Sequence, residues 1–162
     1  MDITTKIRIA YFDALQTKEE IVNEDLSVTI KSLGGLEYDG VIIPIYDEEV
    51  VGATAKVGNA EDVYILLQGQ QTVDDAVQTI CNYRLISDIT VKVVTKFKGI
   101  GKKSMCEEIG FLAMNLIKGE RDISKLAGID KIRLDVSRSI IEQSESQTAF
   151  SKVMIFRNYI NN

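Results

Sequence analysis

The sequence predicts an α+β fold in which two main helices pack against a mostly antiparallel sheet. Two segments, one near the N-terminus and one after residue 104, repeat apolar residues at helical spacing. The other apolar segments are short and β-branched, or alternate with a period of two, as strands do. A strand, a helix and a second strand follow one another only once, so hairpin-linked strands are favoured over a doubly wound fold.

The composition is typical of a single globular domain. The 162 residues are 45% hydrophobic and 27% charged, and no repeat, low-complexity tract or linker divides them. No apolar run approaches the roughly 20 residues that cross a bilayer, and the N-terminus lacks the pattern of a signal peptide. We therefore expect one domain over residues 1–162 that folds in a cytoplasm and has no membrane partner.

The residues that usually carry catalysis or bind metals are scarce. Histidine, the commonest general base and transition-metal ligand, is absent. Cys81 and Cys106 form no CxxC pair and are expected to be small core residues. Adjacent carboxylates such as Glu107 and Glu108 point apart and do not converge on a metal ion. The sequence thus predicts no enzyme, no cofactor, and no catalytic or metal-binding residue.

The first part of the chain is predicted to contain one helix followed by strands. The helix covers residues 3–16, and Asp2 can cap it. Residues 18–25 are polar and are predicted as a loop or short turn. Strands are predicted over residues 26–30 and 41–46, because both runs are short, rich in β-branched residues and bounded by glycines.

Pro44 and the segment that follows it are predicted to interrupt the sheet. Pro44 lacks a ladder donor, so its strand is expected to be an edge strand or to be broken there. Residues 47–62 have no periodic pattern and are predicted to form an extended loop or arm. The acidic run of Asp47, Glu48 and Glu49 begins this arm and is a candidate partner contact, although most such runs are solvated surface.

The middle of the chain contains the most regular strand pattern. A continuous apolar strand is predicted over residues 63–67, whereas residues 72–84 are ambiguous and suggest a helical turn or two. Residues 89–97 alternate regularly, which indicates a half-buried strand with one polar face. That polar face supplies three candidate contact or lumen residues: Lys92, Lys96 and Lys98.

The last third is predicted to contain a helix and a β-hairpin. Ser104 followed by Glu107 matches a capping box, which predicts a helix over residues 105–118 ended by Gly119. Strands are predicted over residues 132–136 and 153–160, and the polar residues between them indicate a loop or hairpin tip. The predicted apolar stripe of the helix is Met105, Ile109, Leu112, Leu116 and Ile117.

Residues 96–104 resemble the strand, turn and helix context of a phosphate-binding loop. The spacing fails, because Lys96 stands where the motif needs glycine and Lys103 stands where it needs a hydroxyl. A helix N-terminus beside Lys102 could still hold an anion. A solvated basic turn is the favoured interpretation, and a small nucleotide- or anion-binding module is the alternative.

The predicted strands also leave sheet edges that must be covered. An extended arm and a strongly β C-terminal strand could cover an edge of a neighbouring subunit, and head-to-tail contacts of that kind close into rings. Phe156 and Tyr159 on the C-terminal strand are therefore further candidate interface residues.

The order of these elements resembles the tail-terminator and tail-completion proteins of tailed bacteriophages, which also resemble some head–tail connector proteins. The resemblance spans nearly all of the chain, from the opening helix to the C-terminal hairpin. The chain departs from the family in a longer connection over residues 119–131 and in the polar stretch before Ala149. The segments that carry the resemblance are residues 3–15, 41–47, 63–67 and 86–97 with the following helix, and the hairpin.

The resemblance implies a virion structural protein that forms a six- or twelve-fold homo-oligomeric ring around the DNA channel. Such a ring lies at the head–tail junction or tail end, next to neck, portal-ring or tail-tube proteins, and genomic DNA passes through it without sequence-specific binding. The net charge of −5 suits such a lumen, because strong phosphate attraction would retard the DNA. A monomeric cytoplasmic adaptor domain is a further alternative.

Overall fold

The computed structural model describes residues 2–47, 51–74, 84–119 and 128–161. These residues form helices on one face of a mainly antiparallel sheet, so the predicted α+β class is confirmed. The C-terminal β-hairpin is confirmed as well. In chain order the elements are α1 (Ile3–Leu15), β1 (Lys18–Val22), β2 (Val28–Ser32), β3 (Gly35–Tyr38), β4 (Val41–Asp47), β5 (Ala55–Val57), β6 (Ala60–Asp74), β7 (Arg84–Lys98), α2 (Lys103–Gly119), β8 (Ile129–Gln143) and β9 (Gln147–Asn161).

Within these ranges the main sheet has seven strands in the order β3-β4-β6-β7-β9-β8, with β5 also paired to β6. Its neighbours are antiparallel except β4 and β6, which run parallel. Strands β1 and β2 form a separate two-stranded sheet. The sheet therefore has β3 at one end of its strand order and β8 at the other.

Helix α1 forms where the sequence predicts it. The Asp2 carboxylate accepts the backbone N–H of Thr5 at 2.9 Å, which satisfies one amide of the first turn. Ile7, Tyr11 and Leu15 recur at helical spacing and are fully buried against the sheet. The helix is thus held by one cap and one continuous apolar stripe.

The predicted alternation of β7 is confirmed, and it decides which face of the sheet meets the helices. One set of its side chains is buried in the same core as both helices, while the lysines lie on the opposite face. Burial at every second residue is the pattern of a strand with one covered face. The buried set is Ile89, Val91, Val93, Thr95 and Phe97.

A polar pair lies inside this apolar core. The Tyr11 hydroxyl donates a hydrogen bond to Asn158 Oδ1, and Asn158 Nδ2 donates to the backbone carbonyl of Ser87 at 2.9 Å. All three residues are inaccessible to solvent. Burial raises the pKa of the Tyr11 hydroxyl, so the group stays a neutral donor. These bonds join α1 to β9 and β7.

The loop predicted over residues 18–25 is wrong, because Lys18–Val22 is strand β1. Its partner β2 begins at Val28, two residues later than predicted, since Leu26 lies in the turn with a φ of 65°. Nearly all residues of this hairpin are exposed. Apolar and polar residues therefore need not alternate along its strands, and the sequence lacks the pattern that would predict a strand.

The sequence does not predict strand β3, because a glycine such as Gly35 is typical of the boundary between two strands. A Cβ at Gly35 would lie 2.2 Å from the carbonyl oxygen of Ile43 on β4, so only glycine fits this close approach. Pro44 is the last β4 residue in register with β3, and Ile45 is the first in register with β6. Of the two alternatives predicted for Pro44, the edge strand is wrong, because β4 lies between β3 and β6 in the strand order, whereas the interruption is observed, because pairing with β3 ends at the proline.

The extended arm predicted over residues 47–62 is also corrected. Ala55–Val57 forms β5, and β6 already begins at Ala60, so this part of the segment belongs to the main sheet. Ala55, Val57 and Ala60 are buried. Three residues are too few to show a period of two, so the sequence of this segment contains no strand pattern.

Helix α2 begins at Lys103, so Ser104 lies inside its first turn and the predicted capping box is wrong. Glu107 instead accepts hydrogen bonds from Lys152 at 2.7 Å and from Ser139, and the Lys152 bond is the main cause that lowers its pKa. Leu112 is 38% exposed rather than buried, while Gly119 ends the helix as predicted. The buried face is Cys106, Ile109, Gly110, Ala113 and Ile117.

The remaining strands are longer than their predicted segments, since β6, β7, β8 and β9 have 15 residues each. Thr72 to Asp74 continue β6, so the helical interpretation is wrong there, and residues 75–83, with Cys81, lie outside the described residues.

Strand β9 pairs with both β7 and β8. Strand β8 therefore lies at one end of the strand order, and the C-terminal strand lies inside the sheet.

We expect Tyr11→Phe to lower the free energy of unfolding by about 1–3 kcal/mol, because it leaves buried Asn158 Oδ1 without its donor. The double variant Tyr11→Phe/Asn158→Leu removes both partners, and its loss should be smaller than the sum of the single losses. Chemical denaturation of the four proteins measures this cycle. Strictly additive losses would contradict the coupling.

We expect the Cys106 thiol to react slowly in the folded protein. It is 2% exposed, and burial raises its pKa to about 11, so little thiolate forms near neutral pH. In a Cys81→Ser background, a thiol reagent should modify it rapidly only in denaturant. Ile100 is 92% exposed, so Cys81→Ser/Ile100→Cys is the reactive control. Rapid reaction of Cys106 without denaturant would contradict its buried position.

Candidate assembly surface

Strand β8 is a long edge of the main sheet. It pairs with β9 on one side, and no strand within the described residues pairs with its other side. At roughly 3.3 Å per residue a strand of this length presents about 50 Å of backbone. Most of its side chains are exposed. An uncovered edge of this length is a ready template for another strand.

The free edge carries exposed basic side chains. Lys131, Arg133 and Arg138 project from β8, and within the described parts of the chain the structure gives them no carboxylate partner. Register with β9 places all three on the face of the sheet opposite the helices. This face of β8 is therefore open and positively charged.

An ionic network ties β8 to the two strands beside it. Arg157 on β9 donates to both oxygens of Asp88 on β7, at 3.0 and 3.2 Å, and lies 3.7 Å from Asp135 on β8. The hydrogen bonds with Asp88 are the main cause that raises the pKa of Arg157. Asp135 lies at a register shift between Leu134 and Val136. It therefore contacts Arg157 of the neighbouring strand.

The β1–β2 unit, which we call the exposed hairpin, is the second unusual surface. Among the residues that the structure describes, its two strands pair only with each other, and Val22 lies directly opposite Val28. An isolated two-stranded hairpin is marginally stable in water. Its exposed apolar side chains are Ile21, Val22, Leu26, Val28 and Ile30, which are between 40% and 83% accessible.

The base of the exposed hairpin is fixed to the body of the protein. The Thr17 backbone N–H donates to the carbonyl of Gly35 at 2.8 Å, and the Leu33 N–H donates to the carbonyl of Thr17 at 2.9 Å. Lys18 Nζ lies 3.4 Å from the Asp13 carboxylate at the end of α1. The hairpin thus extends from a defined position beside β3.

The acidic run predicted as a partner contact is only partly described. Asp47 Oδ2 lies 2.9 Å from Arg8 Nε, so this carboxylate forms an ion pair between β4 and α1. Glu48 and Glu49 lie outside the described residues. Asp47 is thus engaged within its own chain.

The three predicted lysines share the face of β7 opposite the helices, as the alternation indicated. Lys92 and Lys96 are half-buried and Lys98 is exposed. Lys96 Nζ lies 5.8 Å from the ring centroid of Tyr64, within the range of a cation–π contact. Their role in subunit contacts or in a lumen stays a prediction.

The two candidates on β9 have different positions. Phe156 is fully buried, with its ring centroid 5.9 Å from that of Tyr11, so its assignment to an interface is wrong. Alternating residues of β9 face the helices, and Phe156 belongs to that set. Tyr159 is half-buried on the other face, opposite Lys131 of the free edge.

The turn at residues 99–104 lines an open pocket of about 400 Å³. Lys102 contributes a cation, but Glu108 contributes a carboxylate that accepts a hydrogen bond from the Tyr38 hydroxyl. This bond is the main cause that raises the pKa of Tyr38 to about 12. A carboxylate in the pocket opposes phosphate binding. The described residues contain no group of three or more metal-ligating side chains.

Comparison with known proteins gives no match, either to a family model or to a curated sequence. No helix in the described ranges is long and apolar enough to cross a bilayer.

Neither the exposed hairpin nor the free edge is predicted by the hydrophobic pattern of the sequence. One signal for them lies in the distribution of charge along the chain. Residues 1–75 contain 15 acidic and 5 basic side chains, whereas residues 76–162 contain 9 acidic and 14 basic ones. A charge difference of this size between the two halves indicates two electrostatically distinct surfaces.

We expect Arg157→Met to destabilise the fold by about 1 kcal/mol, because it leaves two partly exposed carboxylates close together without a cation. Chemical denaturation at low and high salt measures the loss, which should shrink as salt screens the repulsion. Arg138→Met is the matched control on β8, and its effect should stay within about 0.5 kcal/mol. Equal effects of the two substitutions would contradict the network.

Proposed function

We propose that this chain is a structural protein of a tailed-phage virion that assembles into a homo-oligomeric ring at the head–tail junction or tail end. The observation that supports assembly most directly is the free edge of β8, which offers 15 residues of strand without an outer partner among the described residues. The resemblance of the element order to tail-terminator and tail-completion proteins supplies the virion context.

A ring requires two different surfaces on each subunit. When the two surfaces in a contact differ, each copy binds the next one in the same way. The copies form a closed ring when the rotation from one copy to the next permits it. The exposed hairpin lies beside β3 and the free edge lies at β8, which are opposite ends of the strand order. This separation favours a head-to-tail ring over a two-fold dimer.

The proposed ring surrounds the DNA channel and contacts neck, portal-ring or tail-tube proteins. The net charge of −5 limits retention of DNA, because nonspecific affinity depends on basic side chains that neutralise phosphates. DNA then passes without sequence-specific contacts. The face with Lys92, Lys96 and Lys98 is a candidate for either the lumen or a subunit contact.

The competing functions predict different behaviour in solution. A nucleotide- or anion-binding module would use the pocket at residues 99–104, and a monomeric adaptor would present a surface to another protein. The carboxylate of Glu108 in that pocket weighs against the first alternative. Neither alternative needs a closed multimer.

We expect the purified protein to form a defined ring at micromolar concentration or above. Light scattering after size-exclusion chromatography gives the mass, and negative-stain imaging gives the shape. Lys102→Ala/Lys103→Ala should leave the multimer intact, since these side chains are exposed on the turn. A protein that stays monomeric at all concentrations and binds nucleotide through these lysines would overturn the proposal.

A further inference from the structure

We propose that the ring contact is made by the exposed hairpin of one copy, which pairs through β1 with the β8 edge of the next copy. This inference rests on the proposed function, because it names the partner of the free edge. The partner is a second copy of this chain, since both complementary surfaces belong to the same molecule.

Charge complementarity is the first argument. The exposed hairpin carries four carboxylates against two lysines over residues 18–32. Glu19, Glu20 and Glu24 have no cationic partner within the described residues, and Asp25 bonds to Ser27. The free edge carries the opposite charge on Lys131, Arg133 and Arg138. Glu20 lies on the same face of the hairpin as Val22, so pairing that face with the open face of β8 brings this unpaired acid to the unpaired bases.

Backbone geometry is the second argument. Strand β1 is paired to β2 on one side, and its outer side has no strand partner among the described residues. Strand β8 is paired to β9 on one side in the same way. Five residues of β1 span about 17 Å, so they fit well within the length of the β8 edge. Addition of one strand to another satisfies main-chain groups on both.

Apolar surface is the third argument. Val22, Val28 and Ile30 lie on one face of the hairpin, because Val22 pairs with Val28 and Glu20 pairs with Ile30. Val136 on β8 is 37% exposed on the face opposite the helices. Burial of apolar side chains on a neighbouring sheet would stabilise a hairpin that is marginal alone.

The test exchanges the charges of the two surfaces. The first variant is Glu19→Lys/Glu20→Lys/Glu24→Lys, and the second is Lys131→Glu/Arg133→Glu/Arg138→Glu. A third variant combines all six substitutions. Each set should reduce the association constant at least tenfold, and the combined variant should restore the multimer, because opposite charges then face each other again. Light scattering at low salt measures the masses.

Two controls separate assembly from folding. Lys118→Glu and Glu61→Lys reverse exposed charges outside both surfaces and should leave the mass unchanged. Circular dichroism of every charge-reversal variant should show the wild-type spectrum, because the charged side chains that these variants replace are all exposed. Strand pairing itself is tested by an intermolecular disulfide ladder from a double cysteine variant, Ile21→Cys/Ser137→Cys, in a Cys81→Ser/Cys106→Ala background.

The outcomes distinguish the two proposals. Loss of the multimer in each single set and its return in the combined variant support the contact. A wild-type multimer that all three variants retain overturns the contact but leaves the ring intact. A multimer that the combined variant fails to recover also overturns the charge pairing. A wild-type protein that is monomeric under every condition overturns the ring and the contact together.

Discussion

The hydrogen bonds of Tyr11 with Asn158, and of Asn158 with the Ser87 carbonyl, fix the arrangement on which the rest of the structure depends. They place a polar anchor inside an apolar core, where an unpaired hydroxyl or amide would cost about 1–3 kcal/mol. These hydrogen bonds can all form in only one register of β7 against β9 and with α1 in only one position on the sheet. A shift by one residue would turn Asn158 to the open face.

That register also decides the chemistry of the outer face. Because Asn158 faces the helices, its neighbour Arg157 must face the other way. There it meets Asp88 and Asp135 from the strands on either side. The same alternation directs the lysines of β7 and the basic residues of β8 away from the core. The helix-covered face and the charges on the opposite face are thus two results of one choice of register.

The sequence was most informative where burial is periodic. The stripe of α1 and the alternation of β7 are visible as patterns, and both were predicted closely. The exposed hairpin shows no such pattern, because nearly all its residues face solvent. Strand β3 depends on the close approach of Gly35 to Ile43, a tertiary contact that no local window contains. The start of α2 is not predicted either, since the helix begins two residues before its predicted start.

The candidate surface was harder to predict than the fold for a physical reason. Interfaces are defined by what remains unpaired after folding, and this depends on strand order rather than on composition. Strand β8 takes the edge position because β9 lies between it and β7, an order that the pattern of the two strands does not contain. Lys92 and Lys96 lie on the predicted face of β7, whereas the candidate interface residue Phe156 lies in the core, because the phase of β9 is set by Asn158 and its partner Tyr11.

The change of partner at Pro44 divides the sheet into regions of unequal local stability. Strand β3 is held to β4 through four residue pairs, whereas the four longest strands are joined by far more extensive ladders. Local opening in proteins begins where few backbone bonds must break. The strand that supports the hairpin can therefore open while the long ladders stay closed. Opening of β3 would move the base of the hairpin and would also expose Leu36, which β3 contributes to the helix-covered core.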